Sequence, residues 1–384
     1  MLRTYITIPI PMVLGFFLSK NANKQERKFI MKKIFCNCTT LKVAQLAFAG
    51  KSCCTSSASL SRRRGIQSTL SHERKRSCFN VASLYTIFTF LLIAVAFVAC
   101  SNEADTARVI TDREGNTVTL PYSISTVATI GASNAEIIVG LGLADSIIAV
   151  DFFSSDVVGL PEGVSTDLDM LALNAEYLVS LMPDVVFITG MARAGGDDDP
   201  LAAVSTAGIA VVYLPTSSSI LDIMNDISFI AYVMNAEEAG EEIVSSMEQE
   251  IRTIRDIAST IANPRTVYFE ISPAPWMFST GSGTFLHEMI EMVGAINIFG
   301  HMDDWLPVSD EVLLNLNPDV IITNTSFLPD PISEIIERPG FNVITAVQNG
   351  DVFQVDENST SRPSQNIIQA LWEIAVAVYP EYFA

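Results

Sequence analysis

From Arg108 onward, short apolar runs alternate with stretches whose apolar residues recur every three or four positions. The runs at 127–130, 146–150, 185–188 and 209–213 have the near-continuous hydrophobicity of strands covered on both faces. The stretches at 134–141 and 176–181 have the spacing of one-sided helices. Strand, helix, strand in this rhythm predicts βαβ units on a parallel sheet. A similar rhythm returns at 266–270, 320–323 and 352–355.

The stretch between the two sets is different. Residues 217–261 contain no Pro and a single Gly, Gly240. Ile220, Ile223, Ile227 and Ile230 repeat at helical spacing, and Ile243, Met247, Ile251, Ile254 and Ile257 continue a stripe up to Asn263-Pro264. Asn235 is placed to cap the second helix, with Glu237 and Glu238 suited to its positive dipole end. A long helical segment of this kind can hold two α/β units at a fixed separation.

The chain also repeats itself. EYLVSLMPDVVFI at 176–188 is matched by EVLLNLNPDVIIT at 311–323, a shift of 135 positions. Each copy reads as a helix stopped before Pro and followed by a strand. A weaker echo pairs EIIVGLG at 136–142 with EMIEMVG at 288–294. Two related lobes, 108–216 and 264–384, joined by interlobe helices at 217–263 and separated by a cleft, are the economical reading.

Composition sharpens this picture. The 384 residues are 49% hydrophobic and 17% charged, enough to bury two cores. The net charge of −20 conceals a break near residue 100. Residues 1–100 hold 15 Lys/Arg against Glu26 and Glu73, whereas residues 101–384 hold 8 Arg, no Lys and 41 Asp/Glu. A body that acidic is repelled by phosphate backbones, which sets nucleic acid aside. All 6 cysteines lie at or before Cys100, so the body has no disulfide framework, thiolate metal site or cysteine nucleophile.

Read backwards from Cys100, the chain shows a secretory signal. Arg74-Lys75-Arg76 precede an apolar stretch at 84–98, which is short for a spanning helix. Phe97-Val98-Ala99-Cys100 resembles a bacterial lipobox, with Phe97 departing from the usual Leu. Cys100 is then the lipidated first residue of the mature protein; the other reading is a plain membrane anchor that happens to contain a cysteine. Residues 1–99 are assigned to an over-long start plus signal peptide, and 100–107 to a linker. Either reading places the body outside the cytoplasmic membrane, in the periplasm or on the cell surface.

Five fragments carry a family resemblance: ITDREGNTVTLP at 110–121, STGSGTFL at 279–286, GAINI at 294–298, NGDVF at 349–353 and SRPS at 361–364. In this order they resemble the solute-binding proteins of ABC importers for ferric siderophores, haem and cobalamin. The resemblance implies the class III periplasmic-binding-protein fold: two Rossmann-like α/β lobes bridged by a long α-helix, with the ligand held between them and little hinge closure. It implies a receptor that acts as a monomer, requires no cofactor and delivers a small-molecule metal complex to an ABC permease dimer with its ATPase. It also implies one surface glutamate per lobe bound to permease arginines, and Glu176 and Glu311 match that pattern.

Ligand contacts are expected on loops at the carboxyl ends of the strands. In the first lobe these loops give Ser133, Asn134, Phe152 and Arg193; in the second, Trp276, Trp305, Phe327 and Arg362. Aromatics at this density suit a large, partly apolar ligand such as a chelate or macrocycle, and the resemblance implies an iron complex, a siderophore or haem. Trp305 matches the cleft tryptophan of the cobalamin binders, which keeps a corrinoid open; packing in the core is its other reading. Arg193 and Arg362 can meet an anionic chelate, and Arg362 can equally anchor a loop to a helix. Trp372 reads as core.

Catalytic chemistry has little to draw on. The body holds only His287, in a helical pattern, and His301, in a loop where it either ligates metal or is solvated. Two histidines in one half argue against a bare zinc or manganese site. Gly281-Ser282-Gly283 lacks the context of a phosphate loop and reads as a turn before a helix, and Asp197-Asp198-Asp199 reads as a solvated acidic loop rather than a calcium site. A secreted α/β hydrolase would need Ser133 or Ser282 beside one of the histidines. An adhesin or sensor lipoprotein that keeps the fold without transport is the remaining alternative.

Overall fold

A computed structural model describes residues 107–193, 199 and 201–384. The expectations on residues 1–106, Cys100 included, on Asp197 and Asp198, and on the Arg193 side chain lie outside the described residues. Among the described residues no helix is long and apolar enough to cross a membrane.

The chain opens with an antiparallel hairpin, β1 (Arg108–Thr111) and β2 (Thr117–Leu120). Asp112 builds its turn by accepting the Glu114 and Asn116 backbone N–H groups on Oδ1, at 3.0 and 2.8 Å. Its Oδ2 accepts the Tyr213 N–H at 3.1 Å and so docks the hairpin on the first sheet. That sheet comprises β3 (Val127–Ile130), β4 (Ile147–Asp151), β5 (Ser165–Leu168), β6 (Val185–Thr189) and β7 (Ala210–Leu214). The strands are parallel and ordered β5-β4-β3-β6-β7, so the winding direction reverses between β3 and β6. Helices α1 (Ala132–Gly140), α2 (Ala175–Leu181) and α3 (Ala202–Thr206) connect them.

Two helices follow, α4 (Ile220–Val233) and α5 (Glu237–Ala258). Here the structure corrects the expected cap. The N-cap of α5 is Ala236, with no side-chain bond. Asn235 lies in the left-handed region at φ 55°, and its Oδ1 accepts from Arg108 Nη1 at 2.6 Å. Reversing the chain between two packed helices requires a left-handed residue at this turn, and Asn tolerates that conformation better than most.

The second sheet is formed by β8 (Thr266–Glu270), β10 (Ile296–Asn297), β12 (Val320–Thr323) and β13 (Val352–Gln354) in the parallel order β10-β8-β12-β13. A side ribbon pairs β9 (Phe278–Thr280) antiparallel with β11 (Trp305–Pro307). The helices are α6 (Phe285–Met292), α7 (Asp310–Leu316), α8 (Pro331–Ile336), α9 (Thr345–Asn349), α10 (Glu357–Ser361), α11 (Ile367–Val378) and α12 (Pro380–Phe383).

Strand alternation explains how one core serves both sheets. Val127, Val185, Phe187 and Val212 on one face of the first sheet join Ile223, Ile227, Ile230, Met247, Ile251 and Ile254 of α4 and α5. The same cluster continues through Val267, Phe269, Val320 and Ile322 of the second sheet and Leu371 and Ile374 of α11. Intervening residues face the other way: Ala128, Ile130, Val186 and Ile188 with Leu178, and Tyr268 and Ile321 with Phe299 and Leu313. Both faces of each sheet are therefore buried, which is why the strands read as continuous apolar runs.

Candidate functional site

The carboxyl ends of β3 and β4 are tied together by one buried carboxylate. Asp151, at the end of β4, accepts the Gly131 N–H at 2.7 Å, the Phe153 N–H at 3.0 Å and the Ser154 hydroxyl. Gly131 sits at φ 106°, where a Cβ would stand 2.9 Å from Thr189 Cγ2, so only glycine lets the chain turn this close to β6. The turn places Ser133 and Asn134 in the buried first turn of α1, where Asn134 Nδ2 is spent on the Ile130 carbonyl at 3.0 Å. It also holds Phe152 and Phe153 outward as an edge-to-face pair, 67% and 50% exposed.

The second lobe presents its own aromatics. Trp276 follows β8 and is 78% exposed, Phe327 follows β12 and is 69% exposed, and Trp305 opens β11, 44% exposed and in edge-to-face contact with Phe285. Trp305 is thus outside the core. Trp372 is half-buried on α11 and donates to Glu250 Oε2 at 3.0 Å, joining that helix to α5.

Arg362, just after α10, crosses between the lobes. Its Nη1 donates to Glu136 Oε1 at 3.1 Å, and its Nη2 to Asp156 Oδ1 at 2.7 Å and to the Phe153 carbonyl at 3.1 Å. Asn358 Nδ2 donates to the other Asp156 oxygen at 2.9 Å. Ser364 and Asn366 also donate to the Glu136 carboxylate, and Gln365 to the Glu136 carbonyl at 2.8 Å. Burial pushes the Asp156 carboxyl up, but the bonds from Arg362 and Asn358 outweigh it and hold the carboxyl below its ordinary range. Burial likewise works against the Arg362 charge, and Asp156 and Glu136 more than offset that.

Beside this latch lies a cavity of about 250 Å³, lined from the first lobe by Ser133, Asp151, Phe153 and Thr189 and from the second by Glu357 and Arg362. It opens where the winding of the first sheet reverses, the usual ligand crevice of open α/β sheets. Of the expected contact residues, Ser133 and Arg362 line it; Asn134, Phe152, Trp276, Trp305 and Phe327 do not. Sequence reasoning missed Glu136 and Asp156. A trace of Glu136 existed, since it heads the echo with Glu288, and both leave their own helix: Glu288 Oε2 accepts the Ile220 N–H at the start of α4, at 2.8 Å.

Residues 127–359 match the family model described as periplasmic binding protein. The chain belongs to that family. It is 27% identical over 310 residues to the uncharacterized ABC transporter substrate-binding lipoprotein YvrC of Bacillus subtilis, covering 76% of this chain and 96% of the relative. It is 26% identical over 325 residues to the molybdate-binding protein MolA of Haemophilus influenzae, covering 76% and 91%. Among solved structures, a possible iron-binding periplasmic solute-binding protein of Staphylococcus epidermidis superposes with a TM-score of 0.60 at 26% identity, covering 67% of this chain and 99% of that one.

In this periplasmic binding protein the internal repeat is a structural one. Glu176 and Glu311 are both exposed second residues of seven-residue helices, α2 and α7. Each helix ends in a left-handed residue, Met182 at φ 51° and Asn317 at φ 46°, before the Pro-Asp pair. Asp184 Oδ2 then accepts the N–H groups of Ser125 and Thr126 at 2.8 and 2.9 Å, and Asp319 Oδ2 that of Thr266 at 2.9 Å, stapling adjacent strand starts. Because each helix runs back along the strand it precedes, its first turn lies on the side of the strand carboxyl ends. Both glutamates therefore stand on the cleft side of their lobes.

The histidines and serines are not paired. His287 Nδ1 faces Asn297 Nδ2 at 3.3 Å, Ser282 Oγ donates to the Met302 carbonyl and Asp303 at 3.0 Å each, and His301 is exposed. Among the described residues, Ser133 and Ser282 make no hydrogen bond to a histidine, and no group of three or more His, Cys, Asp or Glu could hold a metal ion.

Proposed function

We propose that this chain is an extracytoplasmic, membrane-anchored receptor that captures a large metal complex, an iron siderophore or haem, for import by an ABC permease and its ATPase. The observation that carries this reading is the set of exposed aromatic rings: Phe152 and Phe153 from one lobe and Trp276 and Phe327 from the other, on the loops at the strand carboxyl ends, with Trp305 on the β9–β11 ribbon. Exposed rings on both lobes suit a broad, partly apolar ligand better than a small oxyanion. Among the described residues the cation lining the cavity, Arg362, is already neutralised by Glu136 and Asp156, which also disfavours a bare anion. The names of YvrC and of the Staphylococcus epidermidis protein support a lipid-anchored receptor and an iron-containing cargo respectively.

Glu176 and Glu311 dock the loaded receptor, one on each permease subunit. Two equivalent carboxylates on the cleft side match a two-fold transporter, and exposed charges of this kind steer association more than they add affinity. Cobalamin or cobinamide is the second reading, favoured by the exposure of Trp305 on its ribbon. Tryptophan-fluorescence titration with iron-loaded hydroxamate and catecholate chelates, haem, cobalamin, molybdate and divalent metals tests the proposal. Saturable quenching by one iron complex at micromolar affinity or tighter is expected. Binding to cobalamin alone would establish the second reading, and a response to molybdate alone would overturn both.

A further inference from the structure

Arg338 follows α8 and is buried together with Glu270, the last residue of β8. Its Nη1 and Nη2 donate to Glu270 Oε2 and Oε1 at 2.6 and 2.8 Å, a bidentate fork. Its Nε donates to Glu334 Oε1 at 3.0 Å, Nη2 also reaches Glu334 Oε2, and Nη1 meets Met277 Sδ at 3.2 Å. Tyr268 donates its hydroxyl to Glu270 at 3.1 Å. The five N–H donors of the guanidinium thus match five contacts.

A buried ion pair is a weak source of net stability, because stripping water from both ions offsets much of their attraction. A rigid fork does supply fixed geometry, and here three segments share it. Met277 is 5% exposed, whereas its neighbour Trp276 is 78% exposed, so the base of the outward ring is held by a buried side chain that Arg338 touches. The loop closes through the Ile271 N–H to the Phe278 carbonyl at 2.9 Å and the Phe278 N–H to the Ser272 carbonyl at 3.3 Å. The Met277 carbonyl accepts the Val308 N–H at 2.9 Å, joining this loop to the strand that carries Trp305. On its other side Arg338 holds Glu334 of α8, the helix that follows the Phe327 loop.

We propose that Arg338 is a positioning residue for the second-lobe wall of the cleft: clamped by Glu270 and Glu334, it fixes Met277 and the Trp276 loop and thereby sets affinity for the apolar part of the ligand. The inference rests on the receptor reading above, and its test separates the two. Amide hydrogen exchange on the full chain in detergent micelles reads the brace without any ligand. In Arg338→Lys, which keeps the charge and loses the fork, the amides of Ile271, Phe278 and Val308 should exchange roughly ten-fold faster or more, while those of β3 and β4 stay unchanged. The Kd for the iron chelate or haem identified by titration should rise by a similar factor. The double variant Glu270→Met with Arg338→Met, which removes both buried charges, should regain thermal stability and still leave the loop amides fast. Unchanged loop exchange in Arg338→Lys, loop protection restored in the double variant, or fast loop exchange with an unchanged Kd would each overturn the proposal. Silence of the wild-type chain toward every probe would refute the receptor reading and the affinity half of this one, while exchange would still decide the brace.

Discussion

Removing Glu136 tests whether the two lobes are locked by the polar latch or only by their shared core. The Glu136 side chain is 7% exposed and accepts from Arg362, Ser364 and Asn366, all in the second lobe. Deleting one partner of a buried pair typically costs ~3–5 kcal/mol, because the other charge is left without compensation. Arg362 keeps Asp156 and the Phe153 carbonyl, which places Glu136→Ala near the lower end, about 3 kcal/mol. Asp156 is 55% exposed in its pair, so Asp156→Ala should cost under about 1 kcal/mol. In thermal terms Glu136→Ala should lower Tm by roughly 6–12 °C. Urea unfolding should be followed by both tryptophan emission and far-ultraviolet circular dichroism. All 3 tryptophans, Trp276, Trp305 and Trp372, lie in the second lobe, so their emission reports that lobe whereas dichroism reports both. The two curves should coincide in the wild type and separate in Glu136→Ala. Equal costs for Glu136→Ala and Asp156→Ala, or coincident curves in both, would refute the latch.

The remaining predictions concern docking, ligand and pH. Glu176→Arg with Glu311→Arg should abolish uptake of the ligand by cells while leaving its Kd within about two-fold, since both side chains are exposed and away from the cavity lining; uptake that persists would remove the docking assignment. Phe327→Ala, at a ring 69% exposed, should weaken ligand binding by roughly ten-fold with Tm unchanged, as titration and calorimetry would show. Burial pushes the Asp184 carboxyl up, but the bonds from Ser125 and Thr126 outweigh it and leave it below its ordinary value. A depressed carboxyl contributes stability above its unfolded value, near pH 4, and loses that contribution as pH falls through the folded one. Asp184→Asn should therefore be less stable than wild type at pH 7, with the difference shrinking below about pH 4; a difference that grows on acidification would contradict this.

The strands at 266–270 and 320–323 were legible residue for residue, because burial on both faces leaves a local record in the chain as an unbroken apolar run. The α4 and α5 stripes were legible for the related reason that one face of each helix is buried at a fixed period. The 135-residue repeat announced two lobes, and the structure shows equivalent helices, left-handed ends and aspartate staples in both copies. Other features left no such record. The edge strand β5, Ser-Thr-Asp-Leu, is mostly polar, and the β9–β11 ribbon consists of three-residue strands whose pairing depends on partners far along the chain. Asn235 looked like a cap, and only the sharp reversal between α4 and α5 shows why it turns left-handed and gives its side chain to Arg108.

The sequence by itself determined the two lobes, the helices between them, the acidic body and the loops that carry the aromatic residues, since each follows from short-range periodicity and charge. Only the tertiary structure decided which polar groups meet. Arg362 finds Glu136 across 226 positions and Arg338 finds Glu270 across 68. Which of 41 acids answers each arginine is set by how two sheets and their crossovers bring distant loops together, and no local pattern encodes that choice.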